Sequence, residues 1–191
     1  MFIRDSCYAA GVVAATAACI NIDNVQVFDA EITGNNGSMI GGLVGQATYF
    51  SKISNSYVDN FNFNTPGSSK VGGIVGDIRT STEVVNCAAV GEITAGSAVG
   101  GLIGATDANC TISNCLVDVT STAKSIVGGL IGSLGRSKVT KCYTMGEITA
   151  TEPDQWSGAY GAGGLFGEIT TDWSGSTTII AENNLVALDA I

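Results

Sequence analysis

Two stretches late in the chain gather the side chains best suited to hold a ligand, Thr151-Glu-Pro-Asp-Gln-Trp-Ser-Gly-Ala-Tyr160 and Thr170-Thr-Asp-Trp-Ser-Gly175. Trp156, Tyr160 and Trp173 stand beside Asp154, Gln155 and Asp172, and both tryptophans of the chain are here. Aromatic faces bury the apolar side of a sugar while carboxylate and amide tips fix its hydroxyls, so the chemistry offered is carbohydrate stacking. Alternatively, these aromatics cap the fold or pack on a neighbouring domain.

Catalytic chemistry is harder to assemble. Glu31, Glu92 and Glu147 recur in Glu-Ile-Thr phrases, but cleavage of a glycosidic bond needs two carboxyl groups at a defined separation, and the spacing brings no two acids together. No catalytic residue is assigned; a carbohydrate-active β-helix enzyme is the least favoured of three readings. Metal chemistry fares no better. The chain has no histidine, and Cys7, Cys19, Cys87, Cys110, Cys115 and Cys142 form no Cys-x-x-Cys pair, which removes the usual zinc frameworks. Calcium-binding β-rolls repeat Gly-Gly-x-Gly-x-Asp, whereas here the third glycine falls at the fifth position and only Asp77 follows one directly. Neither a metal nor a cofactor is expected.

Eight basic against 17 acidic residues give a net charge of −9, which repels phosphate backbones and sets nucleic acid aside. Arg136, Lys138 and Lys141 crowd together, as charges guarding a strand edge do. No apolar run reaches the length of a membrane span. With 45% hydrophobic and 13% charged residues over 191 positions, the chain can bury a core of its own.

What positions these groups is a repeat. The phrase Gly-Gly-apolar-apolar-Gly begins at Gly41, Gly72, Gly100, Gly128 and Gly163, with a degenerate copy, Ala-Gly-Val-Val-Ala, at Ala10. The first two intervals between starts are equal, the next two are equal and slightly shorter, and the last is the longest. Such near-constant recurrence is the signature of a solenoid whose units bury their apolar faces against one another. A second landmark keeps phase: Asn24, Asn55, Asn86 and Asn114 each fall at the same distance beyond the start of their phrase, with Lys141 one position earlier and Asn183 several later. Around them run short alternations such as Ile112-Ser-Asn-Cys-Leu-Val117, typical of strands. The expectation is an all-β, parallel β-solenoid of about six coils, a single domain over 1–191 with enlarged loops at 151–162 and 170–177. Stacked strands are about 4.8 Å apart, so six coils make a rod of roughly 29 Å.

Like then sits on like. Leu43, Ile74, Leu102, Leu130 and Leu165 form one ladder; Val44, Val75, Ile103, Ile131 and Phe166 form the next. Adjacent residues of a strand face opposite ways, so the first ladder is expected as an outer stripe for assembly unless the paired glycines make a bulge. Cys87, Cys115 and Cys142 follow the asparagine position in successive coils and are expected as a column of unbridged core thiols.

The phrases Gly-Gly-Leu-Val-Gly, Gly-Gly-Ile-Val-Gly and Gly-Gly-Leu-Ile-Gly, followed by Asn-Cys-Ala-Ala-Val-Gly-Glu-Ile-Thr or Lys-Cys-Tyr-Thr-Met-Gly-Glu-Ile-Thr, resemble the GLUG repeat over nearly the whole chain. GLUG repeats occur in large bacterial surface and secreted proteins, including adhesin-like proteins and the non-catalytic part of immunoglobulin A metallopeptidases. The resemblance implies a parallel β-solenoid on the cell exterior and supplies no catalytic residue; a metallopeptidase's His-Glu-x-x-His has no histidine here to form it.

The expected function is therefore a non-enzymatic structural or adhesive module of a bacterial surface protein. Its partner would be a host or neighbouring-cell protein or glycan, bound through loops or outer face. The alternative is a filament subunit whose partners are further copies stacked through open coil ends. The chain begins and stops mid-pattern, as a piece of something longer would. Thr16-Ala-Ala-Cys19 is reminiscent of a lipoprotein cleavage site, although Ala10 to Ala14 fits the phase of a first coil.

Overall fold

A computed structural model describes residues 2–4, 8–9, 11–35, 37–152, 161–170 and 178–190. The chain winds as a parallel β-solenoid, with every pairing among the described strands parallel and adjacent turns in register. One turn contains four strands, for example Lys70–Gly72, Val75–Ile78, Glu83–Val85 and Ala88–Ala95. Their counterparts in the next turn are Ala98–Gly100, Ile103–Thr106, Cys110–Ser113 and Leu116–Ala123. Four sheets thus run along the axis, numbered first to fourth in that order; the first three hold six strands each. Residues 37–152 make four uninterrupted turns, with a partly described turn at either end, where the repeat count leads one to expect six.

Glycine dictates how the first two strands of a turn meet. After Gly72 the chain bends through Gly73 and Ile74 and doubles back as Val75–Ile78. A side chain at Gly76 would stand 2.6 Å from the backbone nitrogen of Ile40 and 2.6 Å from the carbonyl oxygen of Gly45. Equivalent glycines, Gly104 and Gly132, meet the backbone nitrogens of Val71 and Val99 in the same way. First and second sheets therefore lie back to back at a distance only hydrogen allows.

The bend also disposes of the expected outer stripe. The amides of both Leu43 and Val44 donate to the single carbonyl of Ile74, and those of Ile74 and Val75 to that of Leu102; the pattern repeats one turn further, where Leu102 and Ile103 share the carbonyl of Leu130. Two consecutive residues at one partner carbonyl break the strict alternation. Both ladders consequently point inward. Leu43, Ile74, Leu102 and Leu130 are wholly buried, as are Val44, Val75, Ile103 and Ile131, while Leu165 is half-buried. An assembly stripe on these five residues is not present on the surface.

The asparagine landmark marks a left-handed corner between the third and fourth sheets. Asn24, Asn55, Asn86 and Asn114 have φ of 56°, 51°, 55° and 54°, and Lys141 and Asn183 adopt 56° and 58° at the same place. Asparagine tolerates this region better than other chiral residues, which is why it recurs there. Lys141 comes one position early because the preceding corner, between Leu134 and Lys138, is one position shorter than that between Thr106 and Thr111.

The shortening of the period from the Gly72 phrase onward is equally local. Thr65 pairs with Ala95 and Lys70 with Ala98, so the earlier turn inserts two more residues in that loop. The third is Asn60, bulged out between Asp59 and Phe61 at φ 53° and donating 2.6 Å to Asp29 Oδ1. Inside this bulge Phe61 and Phe63 stack with ring centres 4.5 Å apart and fill the core.

Candidate functional site

Back-to-back packing relaxes where the first and second strands of each turn diverge, and a cleft of about 480 Å³ opens there along the axis. One wall is formed by Lys70, Ala98 and Ile126 of the first sheet; the other is the column Asp77, Ala105, Ser133, Glu168 of the second, each residue paired in register with the next. Large charged side chains occupy the Asp77 rung, and the second sheet then offers only Ala105 and Ser133 before Glu168. The cleft is the space those small residues leave.

At its N-terminal end Asp77 is buried and fully engaged. Lys70 Nζ donates to Oδ1 at 2.9 Å, and Gln46 Nε2 and Arg79 Nε donate to Oδ2 at 2.7 Å each. Burying a carboxylate is tolerated only with such compensation. The bond to Asp77 raises the Arg79 pKa further and fixes its charge. Toward the other end, the hydroxyls of Ser97 and Ser133 and the carboxylates of Asp107 and Glu168 line the space and make no side-chain hydrogen bond among the described residues.

The corner between the third and fourth sheets carries a column of short polar side chains that tie it down. In the column after the asparagines, Ser56 Oγ donates to the carbonyl of Ser54 at 2.7 Å. Cys87, Cys115 and Cys142 each donate Sγ–H to the carbonyl two positions back, at 3.4, 3.3 and 3.4 Å. The thiols are unbridged, and they act as buried serine substitutes as well as apolar filler. Burial pushes the Cys87 thiol up to about 11, and it also raises Cys110. Cys115 is raised by its hydrogen bond with Cys142 and by burial. The same bond lowers Cys142, so it is Cys87, Cys110 and Cys115 that burial makes inert as nucleophiles. At the asparagine corner itself, hydrogen bonds from Ser54 and Asn55 hold Asp23 below its ordinary pKa.

Trp156, Tyr160, Trp173, Asp154 and Asp172 lie outside the described residues, and the expected stacking platform with them. Glu31 and Glu92 fall in one column with Asn62 between them and Thr120 beyond, on the outer face of the fourth sheet. They are rungs of a solvated stripe rather than a converging pair. Among the described residues, no group of three or more Cys, Asp or Glu gathers as metal ligands would. An apolar outer stripe does exist, but on the fourth sheet, where Tyr57, Ala88, Leu116, Tyr143 and Leu185 pair in sequence and Leu116 and Leu185 are exposed. Its signal in the sequence is the doublet of apolar residues opening three successive long strands, Tyr57-Val58, Ala88-Ala89 and Leu116-Val117, the second residue of each inward.

A turn of this solenoid can be matched to a known unit. The strands Met39–Gly41, Val44–Thr48 and Lys52–Ser54 and most of Tyr57–Thr65 lie within positions 36–64. Residues 36–64 match the GLUG motif. The matched stretch therefore takes in the strands of one turn, from the first sheet through the glycine bend to the fourth sheet. No curated protein and no solved structure matches the chain.

Proposed function

We propose that the chain is a non-enzymatic structural and adhesive module of a bacterial surface protein, working outside the cell by presenting loops and an outer face to a protein or glycan of another cell. The observation that supports this reading is the consumption of interior polar chemistry by the stack itself: Asp77 is neutralised by Lys70 and Arg79, and the buried thiols are bonded to backbone carbonyls. A rod so built keeps a fixed shape and leaves recognition to its surface. Antibodies raised against the chain should label intact cells of the source bacterium, and beads coated with it should retain target cells. Labelling only after lysis, or beads that retain none, would overturn the proposal.

A second reading, a filament subunit stacking through coil ends, is favoured by one specific feature. In the last described turn Ile169, Ile180, Leu185 and Val186 expose apolar surface beside strand edges that pair with no further strand among the described residues, and open edges pair readily with another chain. Concentration-dependent growth of rods in electron micrographs supports it, and a monomer at every concentration in sedimentation excludes it.

A further inference from the structure

The cleft between the first and second sheets has a lining that selects among ligand classes. Its basic groups are already matched: Lys70 and Arg79 both bind the carboxylate of Asp77. Beyond them stand two further carboxylates, Asp107 and Glu168, on a chain of net charge −9. An anionic ligand would meet repulsion without a free counter-charge. A purely apolar ligand would leave Ser97, Ser133, Asp107 and Glu168 stripped of water and unpaired, which is costly. A bare divalent cation needs several convergent oxygens, and no such cluster occurs among the described residues.

What fits is a neutral molecule with many hydroxyl groups and an apolar C–H face. Each hydroxyl both donates and accepts, so it can give to Asp107 or Glu168 and take from the guanidinium of Arg79, which uses only Nε on Asp77. The C–H face has Ala98, Ala105 and Ile126 to lie on. The trough extends from the Asp77 rung to the Glu168 rung, three steps of register, or about 14 Å at the spacing of parallel strands. Its length calls for a chain of rings laid along the axis rather than a single ring.

We propose that this cleft is a binding site for a short neutral oligosaccharide, held between Arg79 and Glu168 over the floor of Ala98, Ala105 and Ile126. It gives the recognition role proposed above a ligand class and presupposes that role.

The test is a neutral-glycan array probed with the intact chain, followed by calorimetric titration of the strongest binder against variants. Ser133→Tyr fills the trough from a half-exposed position and should weaken binding at least about tenfold. Glu168→Gln and Asp107→Asn each remove a charged acceptor and should weaken it several-fold. Circular dichroism and a cooperative melt check that Ser133→Tyr folds; if it does not, the two acid variants decide. An array with no binder overturns the cleft site, while cell retention on that same protein would leave the adhesive role standing. Binding that survives Ser133→Tyr, or survives both acid variants, also overturns it.

Discussion

Asn86 donates its side-chain amide to Asn55 Oδ1 across 3.0 Å, from one left-handed corner to the corner directly beneath it, and Asn55 in turn donates 2.7 Å to Asp23. Backbone geometry and side-chain bonding therefore select the same residue. Asn86→Ala keeps the strained φ of 55° without the compensating amide and should lower stability by about 1–2 kcal/mol. Asn86→Gly relieves the strain and loses only the bond, so its denaturation midpoint should lie between those of the parent and the alanine variant.

Inner and outer leucines separate cleanly. Leu102 is wholly buried and Leu116 exposed. Leu102→Ala should cost about 2–5 kcal/mol through lost burial and the cavity left behind. Leu116→Ala should change the unfolding free energy, read from urea titration, by no more than about 0.5 kcal/mol. Equal costs would return the 43, 74, 102, 130 ladder to the surface.

Asp77→Ala takes away the one acceptor shared by Lys70, Arg79 and Gln46. Lys70 and Arg79 are partly exposed and can turn to water, so the loss should be about 2–3 kcal/mol, below that for a fully buried pair. Urea unfolding with an unchanged slope would measure it.

The thiols make a two-part prediction. In the folded chain at mildly alkaline pH, iodoacetamide should label Cys19, which is exposed, and spare Cys87, Cys110, Cys115 and Cys142 until denaturant is added. Mass spectrometry of the peptides distinguishes them. Because burial raises the folded pKa of Cys87 from 9.0 to about 11, the unfolded chain ionises first as pH rises. In that window the native state binds more protons, so the contribution of this thiol to stability is full below about pH 9 and declines between about 9 and 11. Replacing Cys87 with Ser, the residue that makes the same bond at position 56, should flatten that decline.

The repeat is plain from the glycine phrases, and so is the parallel stack, because a Gly-Gly pair at fixed phase admits few other folds. The facing of Leu43 and Val44 is not, since period-two alternation gives no warning that two amides share one carbonyl. The cleft is equally hidden: it arises from Ala105 and Ser133 succeeding Asp77 one turn at a time, a relation visible only once the register is known. The cysteine column looks in the sequence like apolar packing alone; its bonds to carbonyls are a property of the left-handed residue that precedes each thiol, which spacing does not reveal.

The three residues that lengthen an early turn are lodged in a bulge at Asn60 and a loop after Thr65, leaving every sheet contact above and below unaltered. Reach is consequently measured in rings. Duplicating or deleting a segment cut at equivalent positions would add or remove one whole ring while each flanking residue met a neighbour of its accustomed kind, so a lineage could retune how far such a rod extends without redesigning any interface.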